Sequence, residues 1–136
     1  TPIDFGGCHN LGVLTPRQLQ DQMARAAIYA LPARYEPFGL SVLEAAASGC
    51  ALVLGRIPSL LENYADVASF VDPDDHDELV HAIEALIADP IRRKVLGRHA
   101  RTRAQQLTAA KMADAYEHLY RELSGVRPVR SIPCAS

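Results

Sequence analysis

Short apolar runs alternate with longer segments of helical periodicity along most of this chain. Three runs, 28–31, 51–54 and 67–71, have the length and composition of buried strands. The segments around them repeat apolar residues at helical spacing and are bounded by helix start and stop residues. The predicted helices begin after residue 15 and cover 40–48, 58–64, 75–87 and 90–106, with a last one capped by Thr108.

Local residue choices mark several of these helix ends. The segment 15–18 offers a capping threonine, a proline at the first helical position and a glutamine three residues after the cap. Gly49 is suited to the left-handed conformation that ends the helix of residues 40–48. Asp75 and Glu78 predict a capping box for the helix that follows the third strand.

Two of the predicted helices have a defined apolar stripe. In the helix of residues 75–87 we expect an inner face, and in the last helix four large residues recur at helical spacing. The inner face comprises Leu79, Ile83 and Leu86/Ile87, and the recurring residues are Met112, Tyr116, Leu119 and Tyr120.

The alternation of strands and helices predicts an α/β fold. Parallel strands need crossover connections, so the order strand, helix, strand indicates a Rossmann-like parallel sheet flanked by helices, with a helical C-terminal end. The pattern accounts for half of a doubly wound domain. We therefore interpret residues 1–124 as a partial domain, and residues 125–136, which contain two prolines and little pattern, as a disordered tail.

Composition and charge narrow the function classes. With 49% hydrophobic and 22% charged residues and a formal net charge of -2, the chain is typical of a globular protein and gives no overall preference for nucleic acid. It has neither a spanning apolar run nor a signal peptide, so a cytoplasmic location is expected. Cys8, Cys50 and Cys134 are interpreted as free thiols, and neither the cysteine nor the histidine spacing predicts a metal site.

Candidate chemistry concentrates in the loop after the first strand, because ligands of open parallel sheets bind beyond the carboxyl ends of the strands. This loop, residues 34–40, contains the carboxylate of Glu36, a proline that restricts the turn, and Gly39, which lets a ligand approach the backbone. The next helix points its free N–H groups at the same spot, which suits a diphosphate. Glu44 follows eight residues after Glu36.

The segment 32–49, PARYEPFGLSVLEAAASG, resembles the E-x7-E signature of family 4 glycosyltransferases. The resemblance continues through 51–55, 58–62 and 71–75 and covers roughly residues 9 to 122. It implies the C-terminal, donor-binding half-domain of a retaining enzyme with the GT-B architecture. The implied reaction is transfer of a hexose from a nucleoside diphosphate sugar to a glycan, lipid-linked or small-molecule acceptor, without a metal cofactor.

The resemblance also assigns roles to matching residues. It implies that Glu36 lies against the transferred sugar, that Glu44 holds the ribose hydroxyls, and that the backbone around Phe38, Gly39 and Leu40 meets the sugar and phosphates. For Glu36 two roles stay open, a nucleophile and an electrostatic support for the positively charged anomeric centre.

The sequence departs from the family pattern in two places. Arg56 follows Gly55 where the family often has two glycines, and Ala51 stands where it often has proline, so the resemblance does not secure Glu62 as a donor contact. The family's Arg/Lys pair for the diphosphate and its acceptor-binding N-terminal domain have no counterpart here. We therefore expect the isolated chain to be inactive and prone to self-association.

Two other function classes remain open from the sequence. One is a non-catalytic module that binds a nucleotide sugar, and the other, weaker, is a nucleotide-sugar epimerase. A second open question concerns six basic residues in 90–106, for which a solvated helix face is favoured over a face for nucleic acid or an anionic membrane. Peripheral contact with the inner face of the membrane remains open. The basic residues are Arg92, Arg93, Lys94, Arg98, Arg101 and Arg103.

Overall fold

The computed structural model describes residues 6–124. Its centre is a parallel three-stranded sheet with the strand order β1-β2-β3, formed by Ile28–Leu31, Ala51–Gly55 and Ala68–Val71. Both β1 and β3 run parallel to β2. In this register Ile28 pairs with Ala51, and Leu52 pairs with Ala68. All five residues of β2 are buried, because helices cover both faces of the central strand.

The described residues contain six helices, and the alternation of strands and helices expected from the sequence is confirmed. Four boundaries differ from the prediction by one residue, since β2 extends to Gly55, β3 begins at Ala68, and α4 covers His76–Ala88 and not 75–87. The helices are α1 Pro16–Arg25, α2 Leu40–Ser48, α3 Pro58–Tyr64, α4 His76–Ala88, α5 Pro90–Gln106 and α6 Ala109–Ser124.

The predicted caps are confirmed except for half of one. Thr15 and Gln18 form the complete capping box of α1. At α4 the Asp75 carboxylate accepts a hydrogen bond from the Glu78 N–H at 2.9 Å. The expected return bond from the Glu78 side chain is absent, because that carboxylate accepts from the Asp72 N–H and from Arg56 instead. Glu78 therefore joins α4 to the strand ends and leaves the cap incomplete.

Two hydrophobic clusters lie on opposite faces of the sheet. Leu52 and Leu54 of β2 point into the larger cluster with α1, α2 and α3, whereas Val53 points to the side of α4. Leu86 of α4 is buried there as predicted. The prediction for Ile87 was wrong: its side chain is 60% exposed, because α4 turns this position away from the sheet just before it ends.

Helix α5 connects the two layers at the amino-terminal edge of the sheet. Its Leu96 packs against the cluster under α4, while Ala100 and Ala104 belong to the cluster under α2. Between them Gly97 lies so close to the turn before β2 that an added Cβ would be 2.2 Å from the Gly49 carbonyl oxygen. The glycine permits this close crossing.

Helix α6 is formed as expected, with the Thr108 hydroxyl accepting from the Lys111 N–H at 3.3 Å. None of its residues is buried, and its recurring large side chains, including Tyr116 and Leu119, are exposed. The predicted tail 125–136 lies outside the described residues, and the division of the chain at residue 124 stays a prediction.

The described cysteines, Cys8 and Cys50, are free thiols, and Cys134 lies outside the described residues. Burial raises the pKa of the Cys50 thiol, whose Sγ donates to the Met23 carbonyl oxygen at 3.3 Å. Between residues 6 and 124 there is no helix with the length and apolarity needed to cross a bilayer.

Candidate functional site

Three loops meet at the carboxyl edge of the sheet, where the sequence places the candidate chemistry. The β1–α2 loop is joined to α3 by the Ser59 hydroxyl, which donates to the Glu36 carbonyl oxygen at 2.5 Å. It is joined to the β3–α4 loop by an ion pair between Arg34 and Asp74. The Ser59 contact ties the Glu36 backbone to α3, whereas the Arg34–Asp74 pair lies exposed at the surface.

The side chain of Glu36 is fixed at the start of α2. Its Oε1 accepts a hydrogen bond from the Gly39 N–H at 2.9 Å, and the side chain is only partly exposed. Gly39 has φ 80°, and an added Cβ would lie 3.1 Å from side-chain atoms of both Leu60 and Val42. The positive φ therefore favours glycine at this turn, and a Cβ would in addition need Leu60 and Val42 to shift by a few tenths of an ångström.

The amino terminus of α2 is open to a ligand. Its N-cap is Gly39, so no side chain caps the helix, and the first backbone bond across this end runs from the Leu43 N–H to the Gly39 carbonyl. The first turn is held over the sheet by Tyr29, whose hydroxyl donates to Ser41 Oγ at 2.8 Å. Free N–H groups and the positive end of the helix dipole make this position suitable for an anion.

The remaining predicted site residues surround the same turn. Phe38 is partly buried beside Gly39, and Leu40, the first residue of α2, is 68% exposed. Glu44 lies one turn further along α2 and is exposed. The structure thus brings Glu36, Phe38, Gly39 and Leu40 together at the helix start, with Glu44 on the following turn. Their roles toward a donor remain predictions.

The structure explains both residues at the place where Gly55-Arg56 departs from the family pattern. An added Cβ at Gly55 would lie 2.3 Å from the Ala33 carbonyl oxygen, because the β1–α2 loop crosses the end of β2 there. Arg56 donates to the Phe70 carbonyl at 3.1 Å and to Glu78 at 2.6 Å, tying β2 to β3 and α4.

The same network changes the ionisation of Glu78. The Asp72 N–H, and after it Arg56, hold the pKa of the Glu78 carboxyl below its ordinary value. Sequence reasoning missed Ser59, Arg56 and Glu78 as residues that support the site. All three follow strands at the carboxyl edge, but nothing in their spacing identifies their partners.

A hollow of about 540 Å³ adjoins the site at Phe38. One wall is the end of α3, including Glu62, and the opposite wall is the α5–α6 junction with Lys111, Met112 and Tyr116 of α6. This volume falls within the range of ligand pockets. Glu62 therefore lines this hollow beside the candidate site.

Potential metal ligands are not clustered within residues 6–124. No three His, Cys, Asp or Glu side chains of this part of the chain are grouped so that they could hold a metal ion.

The fold defines an α/β domain in which the uncapped α2 begins at the carboxyl edge of a parallel sheet. Residues 7–103 match the family model described as "Glycosyl transferases group 1". The chain belongs to this glycosyltransferase family, as the E-x7-E resemblance indicated.

Curated relatives agree with this assignment. The chain is 31% identical over 117 residues to the MMP alpha-(1->4)-mannosyltransferase of Mycolicibacterium hassiacum, a match that covers 80% of this chain and 28% of the relative. It is 32% identical over 119 residues to the alpha-maltose-1-phosphate synthase of Mycobacterium tuberculosis, covering 81% of this chain and 31% of the relative. The chain thus spans less than a third of the length of these relatives.

Solved structures give the same fold. The sucrose-phosphate synthase of Thermosynechococcus elongatus superimposes with a TM-score of 0.68 at 31% identity, covering 76% of this chain and 27% of that one. Anabaena HepE, solved in complex with UDP, superimposes with a TM-score of 0.64 at 21% identity, covering 77% and 29%. The second likeness bears on the fold alone. Together they confirm the GT-B-type, Rossmann-like architecture expected from the sequence.

Proposed function

We propose that this chain forms the donor-binding part of a retaining glycosyltransferase, which transfers a hexose from a nucleoside diphosphate sugar to a glycan, lipid-linked or small-molecule acceptor. The observation that carries the proposal is the Glu36 carboxylate bound to the Gly39 N–H at the uncapped start of α2. The family match over residues 7–103 includes this turn.

In this proposal each part of the turn has one physical task. The open N–H groups of α2 meet the diphosphate and stabilise the negative charge that develops as it departs. Glu36 lies beside the transferred sugar, as a nucleophile or as a negative charge facing the anomeric carbon. Glu44 accepts hydrogen bonds from the ribose hydroxyls, and the backbone of Phe38, Gly39 and Leu40 meets the sugar and phosphates.

The relatives named above are transferases or synthases by name and give no support to an epimerase or a non-catalytic binding module. Their names differ in sugar and in product, so the acceptor is proposed only as a broad class. We further propose that the enzyme acts in the cytoplasm with no metal cofactor.

The roles of the two glutamates are tested in an active transferase that contains this chain. Glu44→Ala should weaken donor binding by about 1.5 to 3 kcal/mol, the range of a charge-assisted hydrogen bond. Glu36→Ala should lower kcat more than it raises KM. Glu84→Ala on α4 is a matched control, since Glu84 is exposed and has no partner among the described residues.

Donor affinity and turnover that match the wild type in both variants would remove the assignment. A sugar trapped covalently on Glu36 and found by mass spectrometry would select the nucleophile role, whereas full turnover without any adduct favours electrostatic support.

The isolated chain should bind a nucleoside diphosphate weakly and transfer no sugar. Its phosphate site has the helix dipole but lacks the basic pair that the resemblance leads us to expect, and an exposed helix terminus contributes only about 1 kcal/mol. Calorimetry with nucleotides and a radiolabelled-sugar assay test both statements. Transfer by the monomeric chain at roughly 10 per second, an ordinary enzyme rate, would contradict them.

A further inference from the structure

Helix α5 is unusually basic, with six Lys or Arg residues and no Asp or Glu between residues 90 and 106. Two of these cations have structural partners. Arg93 donates to the last carbonyls of α4, at Leu86 and Ile87, and Arg103 pairs with Asp66 and the Asn63 carbonyl. Contacts within the fold therefore account for two of the six positive charges of α5.

The other basic residues of α5 have no such explanation. Arg92, Lys94, Arg98 and Arg101 are exposed, and their side chains donate to no acceptor in residues 6–124. Lys94, Arg98 and Arg101 recur at intervals of four and three, so they lie on one side of the helix. Like charges at this spacing repel one another, so the arrangement destabilises the helix unless an anionic surface faces it.

An apolar side chain continues the same stripe. Ile91 precedes Lys94 by three residues, and its side chain is 79% exposed at the first turn of α5. Ile87, 60% exposed, lies just before the corner that joins α4 to α5. The stripe of Ile91, Lys94, Arg98 and Arg101, with Ile87 at the corner, is called the basic stripe below.

The combination of exposed isoleucines and unpaired cations favours one kind of partner. Cations attract an anionic bilayer surface, and an exposed isoleucine gains free energy when it enters the boundary of the acyl chains. Single-stranded nucleic acid would instead require aromatic side chains interleaved with the charges, and α5 contains none. The large exposed apolar residues beside these charges are aliphatic.

The position of the basic stripe is compatible with activity at a surface. Gly97 lies between Lys94 and Arg98 in sequence but on the buried side of α5, against the turn that enters β2, so this part of α5 crosses the amino-terminal edge of the sheet. Glu36 and the start of α2 lie at the carboxyl edge. A planar surface bound to the basic stripe therefore leaves the candidate site open.

We propose that the basic stripe of α5 is a docking surface for an anionic lipid bilayer. This inference goes beyond the proposed function. Its test measures lipid binding and not sugar transfer, so the inference and the proposed function can fail independently. The test is co-sedimentation of the 136-residue chain with vesicles of phosphatidylcholine, with and without phosphatidylglycerol. Binding should require the anionic lipid and fall as salt is raised.

Replacing the three cations by glutamine, in K94Q/R98Q/R101Q, should lower the partition coefficient for anionic vesicles by on the order of 100-fold. Ile91→Gln should remove the part of the binding that persists at high salt. Far-UV circular dichroism verifies that both variants remain folded, and the comparison of the two vesicle types on the wild-type chain needs no variant.

The matched control removes three exposed cations elsewhere, in R17Q/R25Q/K111Q, and so makes the same change in net charge. It should bind nearly as the wild type does. Three results would overturn the proposal: equal binding of the wild type to neutral and anionic vesicles, equal loss in the two triple variants, or tighter binding to a DNA oligonucleotide than to anionic vesicles.

Discussion

The crossing of α5 over the turn at Gly49 gives a sharp test of the packing, because Gly97→Ala sets two effects against each other. Alanine favours an interior helix position over glycine by about 1 kcal/mol, which alone would stabilise the protein. The added Cβ, however, would lie 2.2 Å from the Gly49 carbonyl oxygen and 3.2 Å from its carbon. An ordinary carbon–oxygen contact is about 3.3 Å or more, so α5 and the turn would have to separate by about 1 Å.

Neither side of this contact can move easily. Gly49 ends α2 with φ 86°, and the next residues, Cys50 and Ala51, are fully buried at the start of β2. A shift of α5 would also loosen the packing of Ala100. Because the obstructing atoms are backbone, we place the overpacking cost near 3 kcal/mol, the upper end of its usual range, which leaves a net loss of about 2 kcal/mol.

Urea denaturation followed by far-UV circular dichroism measures this difference as a lower midpoint at constant slope. His99→Ala is the control, since His99 is exposed on the same helix and gains helix propensity without a clash. Its stability should stay within about 0.5 kcal/mol of the wild type. A Gly97→Ala chain at least as stable as the wild type would refute the close crossing of α5.

Three further changes test the core and the site network. Tyr64→Phe should raise the unfolding free energy by about 1 kcal/mol, because the buried Tyr64 hydroxyl has no hydrogen-bond partner among the described residues. Burial also raises the pKa of this hydroxyl to about 12. A lower melting temperature of the variant would reveal a hidden partner. Gly55→Ala should destabilise, since its Cβ meets the Ala33 carbonyl oxygen, and unchanged chemical denaturation would contradict that contact. In the folded chain the pKa of the Glu78 carboxyl lies below its ordinary value of 4.5. The ionised carboxylate therefore stabilises the fold above pH 4.5, and this stabilisation is lost as the pH falls through the folded-state pKa. The stability difference between wild type and Glu78→Gln should therefore shrink in acid, and a pH-independent difference would exclude this role.

The elements of this protein could be predicted because their determinants are local. Thr15 with its proline and glutamine starts α1, Gly49 ends α2, and short apolar runs form the strands, all through contacts within a few residues. The position of the candidate site could be predicted for the same reason, because Glu36 and Gly39 occupy one turn directly after β1 and resemble a family signature. Their hydrogen bond is itself local, spanning three residues.

Other features depend on residues far apart in the sequence, and only the tertiary structure decided them. The sequence pattern predicts a local bond from Glu78 back to the N-cap, but its carboxylate turns to Arg56 because the ends of β2 and β3 lie beside α4. Ile87 fits the apolar period of α4, yet the helix leaves the sheet before that position. The crossing at Gly97 joins residues 48 positions apart, and the hollow at Phe38 needs α6 as its second wall. Periodicity assigns a residue to a face of its element, but the partner of that face depends on how whole elements pack, which short-range contacts do not determine.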